Sequence, residues 1–310
     1  MRIVFFGSPA SALPSLIKIL KAGHSVELVI TQPDKPHGRG KKLIPSPIKK
    51  AALELDIPFY QPYKIRQDTI ALEKIKNIQP DLIVVVAYGQ IIPASIIYLP
   101  KYNSINLHFS LLPKYRGASP VFWALLKGEK KTGISIFELN EKMDEGDILA
   151  QEEVDIYLGE KTFELESRLA EKGSELLVKT ISQIDKIIPI KQDHTQATYA
   201  PKIKKEDGKI DWTKNALFIG RLVRASNPWP SAFTFFKEKR IKITVGEEKG
   251  SQTQCLTPGK ILSIKKEGIE VCCGKGSTYL LRKLQPENKK EMDAYSFSLG
   301  AKIEIGDRLT

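Results

Sequence analysis

Residues 82–87, LIVVVA, are apolar at every position, so a strand made from them has no face to offer to water. Such a strand belongs in the middle of a parallel sheet with helices on both sides. The neighbouring sequence supplies that setting. Arg2 to Phe6 is a short apolar run closed by Gly7-Ser8-Pro9, after which Leu13, Leu16, Ile17 and Leu20 recur at helical spacing and stop at Gly23. Val26 to Thr31 reads as a second strand, Pro47 to Asp56 as a helix begun by Ser46 with proline in its first turn, and Ile57 to Tyr60 as a brief third strand. A helix near Gln67 to Asn77 leads into the apolar run, and Ser104 to Phe109 and Gly133 to Leu139 add two strands around a helix at Pro120 to Lys127. Glu164 to Ile184 has long helical periodicity. The expected fold class is α/β, with an open, mostly parallel, Rossmann-like sheet.

The texture changes after Pro189. A polar, proline-marked passage to Gly208 reads as a connection, and beyond it Ile241 to Val245, Gly259 to Ile264, Ile269 to Cys273 and Thr278 to Leu284 are short β-rich runs broken by turns. A chain of 310 residues also exceeds what one core usually fills. The expected division is a catalytic domain at 1–200, a linker at 201–208 and a smaller, OB-like β-barrel at 209–310. No apolar run approaches bilayer length, and MRIVFFG lacks the features of a signal peptide, so a cytoplasmic protein with no membrane partner is expected. Cys255, Cys272 and Cys273 have neither CxxC spacing nor a nearby histidine. They are expected to be reduced and mostly buried, with no metal site.

Charge is unevenly placed. Residues 201–310 carry 22 Lys and Arg against 13 Asp and Glu, and the segment from Lys35 to Lys50 carries six basic residues and no acid. Two separate basic features suit a polyanion such as nucleic acid, although a solvated basic surface has the same composition.

An open α/β sheet invites a nucleotide, but the first turn does not support one. Gly7-Ser8-Pro9-Ala10-Ser11-Ala12 has one glycine where a dinucleotide fingerprint needs three, and no GxxxxGK[ST] loop occurs. The stronger candidate begins at Asn106-Leu107-His108, where residues two apart on a strand present an amide and an imidazole side by side. Alone, this pattern is more often a satisfied core histidine. It is followed, however, by Ser110-Leu111-Leu112-Pro113 and Lys114-Tyr115-Arg116-Gly117-Ala118-Ser119-Pro120, a constrained loop at a strand's carboxyl end, where open sheets bind ligands. Asp144, in Glu141 to Asp147, reads either as part of an acidic turn or as a carboxylate that orients His108. His24, His37 and His194 have no comparable setting. In Asn227-Pro228-Trp229-Pro230 the aromatic is expected to anchor a domain core or rim rather than stack on a base.

On these residues the chain resembles the formyltetrahydrofolate-dependent formyltransferases. Asn106, His108 and Asp144 match that group's catalytic triad, and Ser110, Leu111, Leu112 and Pro113 match its folate-contacting loop. Gln32 to Pro47, Val84 to Pro93, Lys114 to Pro120, Ile210-Asp211-Trp212 and Asn227 to Pro230 narrow the likeness to the branch whose acceptor is methionyl initiator tRNA. The resemblance covers essentially the full length. It implies 10-formyltetrahydrofolate as formyl donor and co-substrate, bound by Tyr88, Gly89, Ile92 and Ser110 to Pro113, and no metal. It implies tRNA contacts from Lys35, Arg39, Lys41 and Lys42, with the basic second domain holding the body of the tRNA, and a monomer. Phe109 is a departure, because the family usually has a small residue there.

Overall fold

In a computed structural model that describes residues 1–37, 42–251 and 255–310, the apolar run Leu82–Val86 is a strand buried at all five positions. It lies in the first of two units, made of Met1–Pro120, Lys131–Asp155 and Glu166–Pro201; the second is made of Val121–Lys130, Ile156–Leu165 and Lys202–Thr310. Residues 121–130 and 156–165, assigned from sequence to the first domain, thus cluster with the second unit.

The first unit contains β1 (Arg2–Gly7), β2 (Ser25–Ile30), β3 (Lys35–His37), β4 (Lys42–Ile44), β5 (Phe59–Tyr60), β6 (Leu82–Val86), β7 (Ser104–His108), β8 (Lys131–Glu138) and β9 (Ile148–Asp155). Seven of them form one sheet in the order β5-β2-β1-β6-β7-β8-β9, parallel as far as β7, with β8 and β9 antiparallel. The order reverses between β1 and β6. At that switch the connections leave in opposite directions, and a crevice opens at the strands' carboxyl ends. The remaining two strands, β3 and β4, form a small antiparallel hairpin where the sequence suggests only a basic loop.

The helices α1 (Leu13–Lys21), α2 (Pro47–Glu54), α3 (Thr69–Ile78), α4 (Ala94–Ile97), α5 (Pro120–Lys127) and α6 (Thr162–Ser182) follow their local signals. The Ser46 hydroxyl accepts from the Lys49 N–H at 3.0 Å with Pro47 opening α2, and the Asp68 carboxylate accepts from the Ala71 N–H at 2.9 Å to cap α3. Each such cap is worth about 1 kcal/mol. Ala71 and Ile75 of α3 and Ile96 and Ile97 of α4 share one buried cluster with Val4, Phe6, Ile83 and Val85 of the sheet. On the opposite face a Cβ at Gly173 of α6 would lie 2.8 Å from Leu107 Cδ1, so the glycine lets α6 pack closely on β7 with the Leu107 side chain undisplaced.

The second unit is built on an antiparallel sheet of β10 (Phe233–Phe236), β11 (Lys239–Ser251), β12 (Ile261–Lys265), β13 (Gly268–Cys272), β14 (Ser277–Pro286) and β15 (Met292–Asp293). The order is β10-β11-β14-β13-β12, with β15 on β14. The last residues join its two edges. Ile261 N–H donates to Asp307 O at 2.8 Å and Leu309 N–H to Gly259 O at 2.9 Å, while Phe235 and Thr310 exchange backbone bonds of 2.7 and 3.0 Å. These bonds close the sheet into a barrel and leave neither edge unpaired along that stretch. Two helices absent from the sequence reading, α7 (Ala216–Ala225) and α8 (Ala294–Ala301), are capped by Asn215 and Asp293.

One expectation is corrected here. Cys255 and Cys272 are disulfide-bonded, with Cα atoms 5.4 Å apart, and only Cys273 is free. The backbone bond from Gly259 N–H to Cys272 O brings the chain before β12 alongside the end of β13, a pairing that spacing does not reveal. Burial pushes the Cys273 thiol up to about 12. Trp229 is 54% exposed, which excludes the core and leaves the rim of the core-or-rim expectation. The turn that carries it is held instead by Ser231, whose N–H donates to Ser226 O and whose hydroxyl donates to Pro228 O, both at 2.8 Å.

Candidate active site

Asn106 and His108 project from the same face of β7, as their spacing requires, into a cavity of about 370 Å³. The loop after β6 forms one wall, including Tyr88, Gly89 and Ile92; Phe109, Gly117 and the segment from Leu139 to Asp144 form others. His108 is buried. Its Nε2 lies 3.0 Å from the Tyr115 carbonyl oxygen, and because a carbonyl only accepts, that nitrogen carries the proton of the bond. The other ring nitrogen, Nδ1, faces Asp144 Oδ2 at 3.7 Å, too far for a direct hydrogen bond but well within electrostatic reach. The amide of Asn106 has no hydrogen-bond partner among the described residues and so keeps its donors for whatever enters the cavity.

Asp144 arrives by an indirect route. Because β8 runs antiparallel to β7, with Ile105 opposite Glu138, the chain leaves β8 beside the amino end of β7. It then folds back to reach His108 at the other end. The turn is left-handed at Asp144, with φ 54°, a conformation that aspartate tolerates better than most residues. The Gly117 N–H donates to Asp144 Oδ2 at 2.7 Å. Gly117 has φ 120°, and a Cβ there would meet Ala200 O at 2.7 Å, so the residue opposite Asp144 is confined to glycine on two counts.

Tyr88, Gly89 and Ile92 are brought to the cavity, whereas Ser110 to Pro113 are not among its lining residues. The Ser110 hydroxyl donates to Lys114 O at 2.6 Å, its carbonyl accepts from Ser135 at 2.6 Å, and Leu112 is buried beside Phe137 and Ile148. Gln151 Nε2 donates to Leu112 O at 2.9 Å. This loop is fastened to β8 and β9, next to the strand that carries His108. The Tyr88 ring meets Phe6 edge-on at 5.2 Å, and burial, with Asp68 nearby, pushes its phenol above the usual tyrosine range. Of the basic residues singled out, Lys35 donates to Gln32 Oε1 at 2.6 Å, and Gln32 Nε2 donates to Tyr88 O at 2.6 Å. Arg39 and Lys41 lie outside the described residues, and Lys42 is described only as the first residue of β4.

Residues 1–181 match the family described as formyl transferase, and residues 202–302 match the formyl transferase C-terminal domain. The chain belongs to the formyl transferase family. It is 44% identical over 311 residues to the methionyl-tRNA formyltransferase of Alkaliphilus oremlandii, covering 100% of this chain and 99% of that one. HypX from Aquifex aeolicus, solved in complex with tetrahydrofolic acid, aligns with TM-score 0.66 at 16% identity over 99% of this chain, which spans 48% of HypX. WlaRD, a sugar 3N-formyl transferase solved in the presence of dTDP and 5-N-formyl-THF, aligns with TM-score 0.65 at 22% identity, covering 94% of this chain and 99% of that one. The two structural likenesses show a shared fold.

In this formyl transferase the passage after Pro189 does more than connect. Arg116 N–H donates to Thr198 O at 2.8 Å, Ala200 N–H to Arg116 O at 2.7 Å, and Tyr115 N–H to the Thr198 hydroxyl at 2.9 Å. His194, which the sequence places in no special setting, accepts from Arg116 Nη2 at 3.0 Å. Nothing in the local pattern of a polar, proline-marked stretch signals this long-range pairing. Among the described residues no group of three or more His, Cys, Asp or Glu side chains could hold a metal ion, and no helix is long and apolar enough to cross a membrane.

Proposed function

We propose that this chain transfers the formyl group of 10-formyltetrahydrofolate to the α-amine of methionyl initiator tRNA, giving N-formylmethionyl-tRNA for translation initiation. The observation that carries the reading is the convergence of Asn106, His108 and Asp144 on one cavity at the carboxyl end of the parallel sheet. The full-length likeness to methionyl-tRNA formyltransferase selects the acceptor. Folate occupies the cavity against Tyr88, Gly89 and Ile92, and Ser110, Leu111, Leu112 and Pro113, held against β8 and β9, contact it from the adjoining loop.

The amine nitrogen attacks the formyl carbon on N10, and the carbonyl oxygen takes up negative charge. Asn106 donates to that oxygen from its free amide, and His108 Nδ1 adds a second donor whenever it carries a proton. A bond forms between the amine nitrogen and the formyl carbon, and the bond from that carbon to N10 breaks. The proton lost by the amine passes to N10, with Asp144 taking it on the way. No metal takes part.

Lys35, Arg39, Lys41 and Lys42 meet the phosphates of the acceptor end, and the barrel at 209–310, with its basic excess, holds the body of the tRNA, residues 201–208 serving as the link. The enzyme works in the cytoplasm as a monomer. Incubation with 10-formyltetrahydrofolate and either methionyl initiator tRNA or small amines tests this reading. Formylated tRNA is expected; transfer to small amines alone, or RNA binding without transfer, contradicts it.

A further inference from the structure

Gln192 is 5% exposed, and its amide is bonded to capacity. Its Nε2 donates to Asp144 O at 2.9 Å and Gly146 O at 2.7 Å, and its Oε1 accepts from Arg116 Nε at 3.1 Å and Nη2 at 2.7 Å. A primary amide has two N–H donors and two acceptor lone pairs, so none is left over. The partners also fix which way the amide points, because a guanidinium only donates and a carbonyl only accepts.

Arg116 is a firm platform for this amide. It is 1% exposed, with Nη1 3.4 Å from Glu145 Oε1 and Nη2 3.0 Å from His194 Nδ1. Gln192 therefore ties a buried, compensated cation to the backbone on both sides of Glu145, the turn in which Asp144 adopts its left-handed conformation. Anchoring of residues 189–200 does not need it. Ile190 and Ile148 exchange two backbone bonds of 2.8 Å, and Thr198 and Ala200 are bonded to Arg116 and Ser119 independently. The amide's own donors go to the turn that carries Asp144.

We propose that Gln192, seated on Arg116, is a positioning residue for formyl transfer: it holds the turn at 144–146 so that the Asp144 carboxylate stays against His108 and the Gly117 N–H. The inference rests on the roles given above to Asn106, His108 and Asp144. It assigns Gln192 no contact with either substrate. Misplacement of a reacting group by about 1 Å can cost on the order of 10²-fold in rate, which sets the scale expected here.

The experiment compares Gln192→Leu and Gln192→Glu, each alone and combined with Asp144→Asn, in transfer from 10-formyltetrahydrofolate to methionyl-tRNA. Gln192→Glu keeps the volume and the Arg116 bonds but turns lone pairs toward two carbonyl oxygens, and it replaces the leucine variant if that one does not fold. Each single substitution is expected to lower kcat roughly 10- to 100-fold while the donor KM changes less than about 3-fold. On Asp144→Asn, followed in single turnover, either is expected to add less than about 2-fold, because both act through one carboxylate. If transfer by Asp144→Asn is below detection, the kcat and KM split decides. A kcat within about 3-fold of wild type, a matching rise in donor KM, or the full loss recurring on Asp144→Asn overturns the proposal. Absence of transfer by the wild type overturns the functional reading and this inference with it, whereas normal wild-type transfer with an unaffected Gln192→Leu removes this inference alone.

Discussion

The two units each carry a cavity of comparable size, about 370 Å³ beside His108 and about 470 Å³ between Lys209–Thr213 and Arg308–Thr310, and the two are built from different materials. The first lies where parallel strands end and their connections diverge, so loops from distant parts of the chain deliver an amide, an imidazole and a carboxylate to one point. The second borders the seam where the last residues close an antiparallel barrel, and most polar groups along that seam are spent on backbone bonds. Volume alone does not mark a reactive site; convergent polar groups with spare bonding capacity do.

That contrast can be broken from either side. Asn106→Ala and His108→Ala carry the largest expected effect, a loss of ~10² to 10³ in kcat with the folded state intact, measured in steady state beside thermal unfolding. The seam should respond the opposite way. Leu309 is 3% exposed, and Leu309→Ala is expected to lower stability by about 2–4 kcal/mol in denaturant titrations while turnover per folded molecule is kept. Arg39→Ala is expected to weaken methionyl-tRNA binding and to reduce the slope of log affinity against log salt by about 1; an unchanged slope removes the phosphate contact.

The smallest expected effect lies on the barrel surface. Hydrogen bonds from Arg282 and Lys249 hold the Glu247 carboxyl well below the usual range, at about 2. Since the folded value is depressed, the stabilisation is present above the ordinary glutamate range and is lost as pH falls through about 2. At a side-chain exposure of 41% it amounts to less than about 1 kcal/mol. Glu247→Gln should therefore be slightly less stable than wild type at pH 7, and the difference should disappear near about pH 2.

The strands and helix starts were legible because they are local. An apolar run buried on both faces, a Ser-Pro cap and a period of two at Asn106 and His108 each carry their own signal. The three groups that line the cavity together, Asn106, His108 and Asp144, could each be picked out in the sequence, and their supports could not. Asp144 reaches His108 only because β8 reverses direction, and strand direction leaves no mark in composition. Gln192 sits in a stretch that reads as a linker, and its partners are 46 to 76 residues away in sequence. The edge strand β9 was missed for a related reason. Its Gln151, Glu152 and Glu153 hide the buried Ile148 and Val154 from any alternating pattern.

The most direct measurement is single-turnover formyl transfer to methionyl-tRNA by wild type and His108→Ala side by side, with binding of the folate donor determined separately. Wild type should transfer the formyl group, and His108→Ala should bind the donor within a few-fold of wild type while transferring it ~10² to 10³ times more slowly. A His108→Ala rate near that of wild type would contradict the placement of the reaction at this cavity.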